Sequence, residues 1–107
     1  MELLTVPDVA EALGQPVTKI RQLIRDRKLL AVRVDGVLRV PADFIHNGAL
    51  VKGLPGLLTL LADQGYDDDA SLRWLYEEDP SLPGTPVQAL RDNRGTEVKR
   101  RAQALGF

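Results

Sequence analysis

The chain has 107 residues, with 14 Lys+Arg against 15 Asp+Glu and 44% hydrophobic residues. That length suits one compact unit of roughly 100–150 residues, or two very small ones sharing a core, and the composition is globular rather than disordered. With no cysteine and one histidine, disulfide staples, thiolate zinc sites, iron–sulfur clusters, cysteine nucleophiles and multi-histidine metal sites are excluded.

Thr5-Val6-Pro7-Asp8 reads as a helix start. Thr5 can cap free backbone N–H groups, Pro7 is tolerated in a first turn, and Asp8 complements the helix dipole. Val9, Ala12 and Leu13 then form one apolar stripe, and Gly14 stops the helix where a left-handed residue is wanted. Gln15-Pro16 makes the turn. A second helix is predicted over about Val17 to Lys28, with Thr18 either capping it or lying in its first turn.

At 100° per residue, Val17, Ile20, Leu23 and Ile24 of this second helix share one side. Thr18, Gln22 and Arg25 lie opposite, flanked by Lys19 and Arg21. The apolar side must bury against the first helix. The other side offers the groups that a helix lying in a DNA major groove needs: Arg and Gln for base edges, Lys, Thr and further Arg for phosphates.

Ala31-Val32-Arg33-Val34, Asp35-Gly36 and Val37-Leu38-Arg39-Val40 then spell a β-hairpin around a two-residue type I′ turn. The turn pairs Val34 with Val37, Arg33 with Leu38 and Val32 with Arg39. Each face carries one arginine and three apolar residues, so alternation alone leaves open which face packs inward. Pro41 ends the second strand. His46, beside Asn47-Gly48, reads as a surface loop histidine, and residues 46–53 as the joint between two halves.

The second half is predicted to be helical. Leu54-Pro55-Gly56 opens Leu57-Leu58-Thr59-Leu60-Leu61-Ala62, apolar almost all round and therefore expected in the core, and Gly65 closes it. Asp67-Asp68-Asp69 suits the N-terminus of a helix in which Leu72, Leu75 and Tyr76 share a stripe and Trp74 stands to one side as a packing residue. Thr85-Pro86-Val87-Gln88 is a capping box opening a short helix that fades at Asn93. A last helix starts at Gly95-Thr96, with Val98, Ala102 and Leu105 inside and Lys99, Arg100 and Arg101 outside.

A near-neutral total hides segregated charge. Residues 16–40 hold Lys19, Arg21, Arg25, Arg27, Lys28, Arg33 and Arg39 against Asp26 and Asp35, a local net of +5. Residues 63–79 hold seven acids against Arg73, and residues 91–107 return to +3. A basic front, an acidic middle and a basic tail follow one another.

Helix, tight turn, helix and hairpin together make a winged helix. Residues 5–45 resemble the small winged helix–turn–helix of the MerR and excisionase group. The resemblance is carried by Thr5-Val6-Pro7-Asp8-Val9-Ala10, Leu13-Gly14, Lys19-Ile20-Arg21-Gln22-Leu23-Ile24 and Val34-Asp35-Gly36-Val37-Leu38-Arg39-Val40-Pro41. It implies that the second helix reads double-stranded DNA and the wing touches the backbone. Thr18, Lys19, Arg21, Gln22 and Arg25 would then face the groove, with Arg33 and Arg39 on the wing; Lys28 is expected as a further DNA contact whose loss weakens binding to all sequences alike. The turn departs from the group's pattern, because Gln15-Pro16-Val17 replaces a serine-type cap.

Nearly the whole chain is similar to a small actinobacterial DNA-binding family with an N-terminal winged helix and a C-terminal helical domain of unassigned role. In the second half the similarity is carried by Leu60-Leu61-Ala62-Asp63-Gln64-Gly65-Tyr66, Leu72-Arg73-Trp74-Leu75, Leu82-Pro83-Gly84-Thr85-Pro86, Ala89-Leu90 and Glu97-Val98-Lys99-Arg100-Arg101-Ala102-Gln103-Ala104. It implies a cytoplasmic DNA-binding protein, regulatory in role, without enzymatic activity. Trp74-Leu75, Leu82-Pro83-Gly84-Thr85-Pro86, Ala89-Leu90 and Gly95-Thr96-Glu97-Val98 also resemble the toxin-binding domain of bacterial antitoxins. On that alternative, residues 60–100 bind a protein partner and DNA binding is autoregulatory.

The expected architecture is mainly α with a small β-hairpin wing: a winged helix–turn–helix over 1–48 and a C-terminal helical domain over 49–107, packed on the first. Neither half is large enough to bury much alone. There is no Gly-rich phosphate loop and no catalytic constellation, so neither an enzyme nor a cofactor is expected. No run approaches the ~20 apolar residues of a membrane span, and Met1-Glu2-Leu3-Leu4 is not a secretory signal. No sustained heptad offers a coiled-coil dimer, so a monomer is expected.

Overall fold

The computed structural model describes residues 1–106. Strand β1 (Leu3–Thr5) leads directly into helix α1 (Val6–Leu13), and α2 (Val17–Arg25) follows after a short turn. The hairpin β2 (Val32–Val34) and β3 (Val37–Pro41) comes next. A 3₁₀ turn over Ala42–Phe44 precedes a second, smaller hairpin, β4 (Ile45–His46) and β5 (Ala49–Leu50). Helices α3 (Leu54–Asp63), α4 (Asp68–Tyr76), α5 (Pro86–Arg91) and α6 (Gly95–Gln103) complete the chain with a 3₁₀ turn at Ala104–Gly106. The winged helix–turn–helix and the helical second half are both present.

Helix α1 begins where its residues predict. The Thr5 hydroxyl accepts from the Asp8 N–H at 3.2 Å and the Asp8 carboxylate accepts from the Thr5 N–H at 3.2 Å, a reciprocal capping box. Its buried stripe is Val6, Val9 and Ala10, with Leu13 half-buried. Ala12, expected in that stripe, is exposed, because a helix starting at Val6 aligns 6, 9, 10 and 13.

Both helices of the motif end in the same way. Gly14, at φ +63°, closes α1 with bonds from its own N–H to the Glu11 carbonyl and from the Gln15 N–H to the Ala10 carbonyl. Arg27, at φ +57°, closes α2 with bonds from its N–H to the Ile24 carbonyl and from the Lys28 N–H to the Leu23 carbonyl. This is a Schellman ending with arginine where glycine is usual. The second helix therefore stops at Arg25, three residues before the expected end, and Lys28 lies beyond it. Pro16 occupies the N-cap with no side-chain hydrogen bond, so Thr18 is not the cap.

The hairpin has the expected register: Val34 pairs with Val37, Arg33 with Leu38 and Val32 with Arg39. Asp35 and Gly36 take φ +52° and +78°, as a type I′ turn requires. Strand β1, not anticipated, pairs antiparallel with β3 and makes a three-stranded sheet of order β1-β3-β2. Val40 is fully buried and Leu38 half-buried, which fixes the Arg33/Leu38/Val40 face as the inner one.

The segment taken as a plain joint holds the β4–β5 hairpin, turned by Asn47 and Gly48 at φ +51° and +75°. His46 is exposed there, as expected. In the second half, α3 buries Leu54, Leu57, Leu58 and Leu61, and α4 is capped by the Asp67 carboxylate accepting from the Ala70 N–H at 2.8 Å. Ser71 and Leu75 are the buried residues of α4, while Leu72, Trp74 and Tyr76 are half-buried against the core. Thr85 caps α5 by accepting from the Gln88 N–H, but the Gln88 side chain bonds Asp92 instead of returning to Thr85, so the expected box is half made. Buried residues of both halves, from Val6 to Ala102, form one cluster.

Candidate nucleic-acid interface

Helix α2 is placed by its apolar side. Ile20 is fully buried, and Val17, Leu23 and Ile24 are half-buried against the same core. This anchoring turns Thr18, Lys19, Arg21, Gln22 and Arg25 outward, and all five are exposed. None of their cationic groups pairs with a carboxylate among the described residues. A continuous donor face results, free to meet anionic or hydrogen-bonding groups from outside.

The wing stands beside this face. Arg21, Ile24 and Arg25 line a shallow trough of about 300 Å³ together with Leu38 of β3. Arg21 also lines a neighbouring trough of about 300 Å³ with Arg33, Gly36 and Val37 of the hairpin and Thr5 and Pro7 at the start of α1. Arg33 is steadied by its Nη1 donating to the Gly36 carbonyl at 3.2 Å. Arg21, Arg25 and Arg33 thus surround one channel between helix and wing.

Two predicted residues fall away from that channel. Arg39 pairs with Val32 and Thr5 on the outer face of the sheet, half-buried. The side-chain period of two that puts Arg33 inward puts Arg39 outward. Lys28 is exposed in the loop after the Schellman turn, off the helix face altogether. Beside it, Arg27 forms an exposed ion pair with Asp68 of the acidic block at 3.6 Å, which brings the negative middle of the chain to the end of α2. Val34 and Val37 expose 38% and 47% of their surface at the wing tip, an apolar patch that the arginine-centred reading passed over.

The basic tail is largely consumed by the fold. Arg91 Nη1 donates to the Asp43 and Ile45 carbonyls, both at 2.9 Å. Arg94 bonds Glu97 at 2.7 Å and the Leu82 carbonyl at 2.8 Å. Arg101, expected on the outer face, is half-buried and bonds Ser81 and the Glu97 carbonyl. Lys99 and Arg100 are exposed without a carboxylate partner among the described residues. Among those residues no group of three or more His, Cys, Asp or Glu could hold a metal ion, and no helix is long and apolar enough to cross a membrane.

Comparison with known proteins matches each half of the chain to a described domain. Residues 1–45 match a family model described as DNA-binding protein Rv2175c, wHTH domain, and residues 51–106 match one described as Rv2175c C-terminal domain of unknown function. The DNA-binding protein Rv2175c of Mycobacterium tuberculosis is 45% identical over 115 residues, covering 95% of this chain and 79% of that protein. An excisionase of Streptomyces ambofaciens is 44% identical over 46 residues, covering 43% of this chain and 74% of its own length. The solved NMR structure of Rv2175c superposes with a TM-score of 0.89 at 42% identity, covering 99% of this chain and 82% of that one.

Proposed function

The chain belongs to the Rv2175c family, and from that premise we propose that it binds double-stranded DNA, with α2 in the major groove and the wing on the flanking backbone. The observation that carries this reading is the exposed face of Thr18, Lys19, Arg21, Gln22 and Arg25, whose cations have no carboxylate partner among the described residues and which is set beside Arg33. A B-DNA major groove about 12 Å wide admits a helix. On this reading Arg21, Gln22 and Arg25 reach base edges, and Thr18 and Lys19 serve phosphates at the start of the helix. Arg33 adds a phosphate contact across the channel. Arg39 and Lys28 act at longer range, on the outer sheet face and in the loop. The role is regulatory and non-enzymatic, and the protein acts as a monomer in the cytoplasm.

Fluorescence anisotropy with a labelled random-sequence duplex at rising salt tests the proposal. Phosphate neutralisation by these cations makes affinity fall steeply with salt, and an absence of binding at low salt would retire the interface. A protein partner docked on residues 60–100 has less support: the Thr85 hydroxyl is spent on capping α5 and Pro86 is buried.

A further inference from the structure

Hydrogen bonds join the two halves of the chain at one place. Among the described residues, every side-chain hydrogen bond from α3–α6 to residues 1–50 ends on residues 43–46. The Tyr76 hydroxyl of α4 donates to the Asp43 carboxylate at 2.9 Å. Arg91 of α5 donates from Nη1 to the Asp43 and Ile45 carbonyls, both at 2.9 Å, and its Nη2 lies 3.4 Å from His46 Nδ1. Phe44 is fully buried and packs on Tyr76, and its carbonyl accepts from the Val51 N–H at 2.9 Å. The carbonyls of residues 43, 44 and 45 are therefore all engaged. The other polar link between the halves, the exposed Arg27–Asp68 ion pair, is longer at 3.6 Å.

The clamped segment is the exit of the wing. It follows directly on Pro41, the fully buried last residue of β3. Arg33 stands on the paired strand, opposite Leu38. At about 3.3 Å per residue, Leu38 lies about 10 Å along the strand from Pro41. A tilt of about 10° at that base would move Arg33 by about 2 Å. A displacement of that size breaks a hydrogen bond. The Arg33 bond to the Gly36 carbonyl lies within the hairpin and moves with it, so it does not set the distance from Arg33 to α2.

We infer that Tyr76 and Arg91 are positioning residues for DNA binding. From the second half they fix the tilt of the wing, and that tilt sets Arg33 at the distance from α2 that a backbone phosphate beside the major groove requires. This role rests on the DNA reading above, and it gives the C-terminal helices a task in that binding: to keep the wing's phosphate contact in register with the helix.

The test is a double-mutant cycle on duplex affinity across a range of salt. The clamp variant is Tyr76→Phe/Arg91→Lys, which leaves net charge unchanged. Phenylalanine lacks the hydroxyl, and a lysine ammonium ends one bond short of the position of Nη1 and lacks the guanidinium fork. A change in salt slope then reports geometry rather than charge. In the parent, Arg33→Ala is expected to make the slope shallower by about one phosphate contact. The clamp variant should already show that loss, and adding Arg33→Ala to it should change the slope little. Arg21→Ala should cost the same in both backgrounds. Arg94→Gln is the structural control, because it breaks a bond to the Leu82 carbonyl that lies wholly within the second half. It should lower Tm yet leave the Arg33 effect as it is in the parent. Amide order parameters over residues 33–38 should fall in the clamp variant, and those over 17–25 should not. If the double variant does not fold, Tyr76→Phe alone enters the cycle and should lose part of the Arg33 effect. Parent binding with no Arg33 effect, an Arg33 effect equal in parent and clamp variant, or one that Arg94→Gln also removes, overturns the inference and leaves the DNA reading standing. A parent that binds no duplex at low salt retires the DNA reading and this role with it.

Discussion

The Tyr76 hydroxyl donates a 2.9 Å hydrogen bond to the Asp43 carboxylate, joining α4 of the second half to the 3₁₀ turn that follows the last strand of the wing. The Tyr76 ring also packs on Phe44, centroid to centroid at 6.3 Å, and Arg91 holds the Asp43 carbonyl from α5. The second half therefore fixes the base of the wing. Tyr76→Phe keeps the packing and removes the bond, and is expected to cost about 1 kcal/mol in urea unfolding. Burial, with the Asp43 carboxylate beside it, pushes the Tyr76 phenol well above its ordinary range. An acid whose folded pKa is raised supports the fold below its unfolded value, near 10, and that support fades as pH rises further. The parent should lose stability above pH ~10 more steeply than Tyr76→Phe.

Arg27 holds a left-handed conformation at the end of α2 that favours glycine. Its compensation is an ion pair with Asp68 at 3.6 Å in which both side chains are about half exposed. Exposed pairs contribute about 0–1 kcal/mol, whereas a non-glycine residue in this region costs roughly 1–2 kcal/mol. Glycine also gives back part of the gain through the freedom of the unfolded chain. Arg27→Gly is expected to stabilise by about 0.5 kcal/mol in chemical denaturation. A net loss would mean that the link between α2 and the acidic block outweighs the strain.

Two carboxylates tie down the last third of the chain. Hydrogen bonds from Ser81 hold the Asp79 carboxyl below the usual range, and a hydrogen bond from Arg94 does the same for Glu97. A depressed folded pKa gives support that is present above the unfolded value and lost as pH falls through the folded one. Thermal unfolding followed from pH 7 to 3 should show Tm dropping below pH ~4. The Asp79→Asn/Glu97→Gln protein should start lower at pH 7 and show a flatter drop.

The motif was legible because its signals are local. A capping box three residues long, a Gly14 stop and an Asp-Gly turn each act within a few residues, and together they place α1, α2 and the hairpin register. Strand β1 was hidden because its partner lies about 35 residues away: Leu3-Leu4-Thr5 gains strand geometry only by pairing with β3. The end of α2 was overrun because nothing in the side chain of Arg27 announces a left-handed turn. The Asn47-Gly48 turn did carry the signature of a tight hairpin, and flanking strands of two residues concealed it.

The site divided along the same line. The outward face of α2 follows from helical periodicity, so Thr18, Lys19, Arg21, Gln22 and Arg25 were found together. Counting charge along the chain could not tell a free cation from an engaged one. Arg91, Arg94 and Arg101 look like a basic tail in sequence, yet each donates to backbone carbonyls in the fold. Which hairpin arginine meets α2 depends on which face buries Val40, a tertiary fact that alternation cannot supply.

The central claim is that Arg21 and Arg25, from one exposed helix face, meet DNA. The most direct measurement is the affinity of a 20-base-pair duplex for the parent, for Arg21→Ala/Arg25→Ala and for Arg73→Ala, an exposed arginine of α4, across a range of salt. The account predicts a loss of about tenfold or more for the double variant, with a salt slope shallower by about two phosphate contacts, and little change for Arg73→Ala. Equal affinity and equal slope for the parent and the Arg21/Arg25 variant would contradict it.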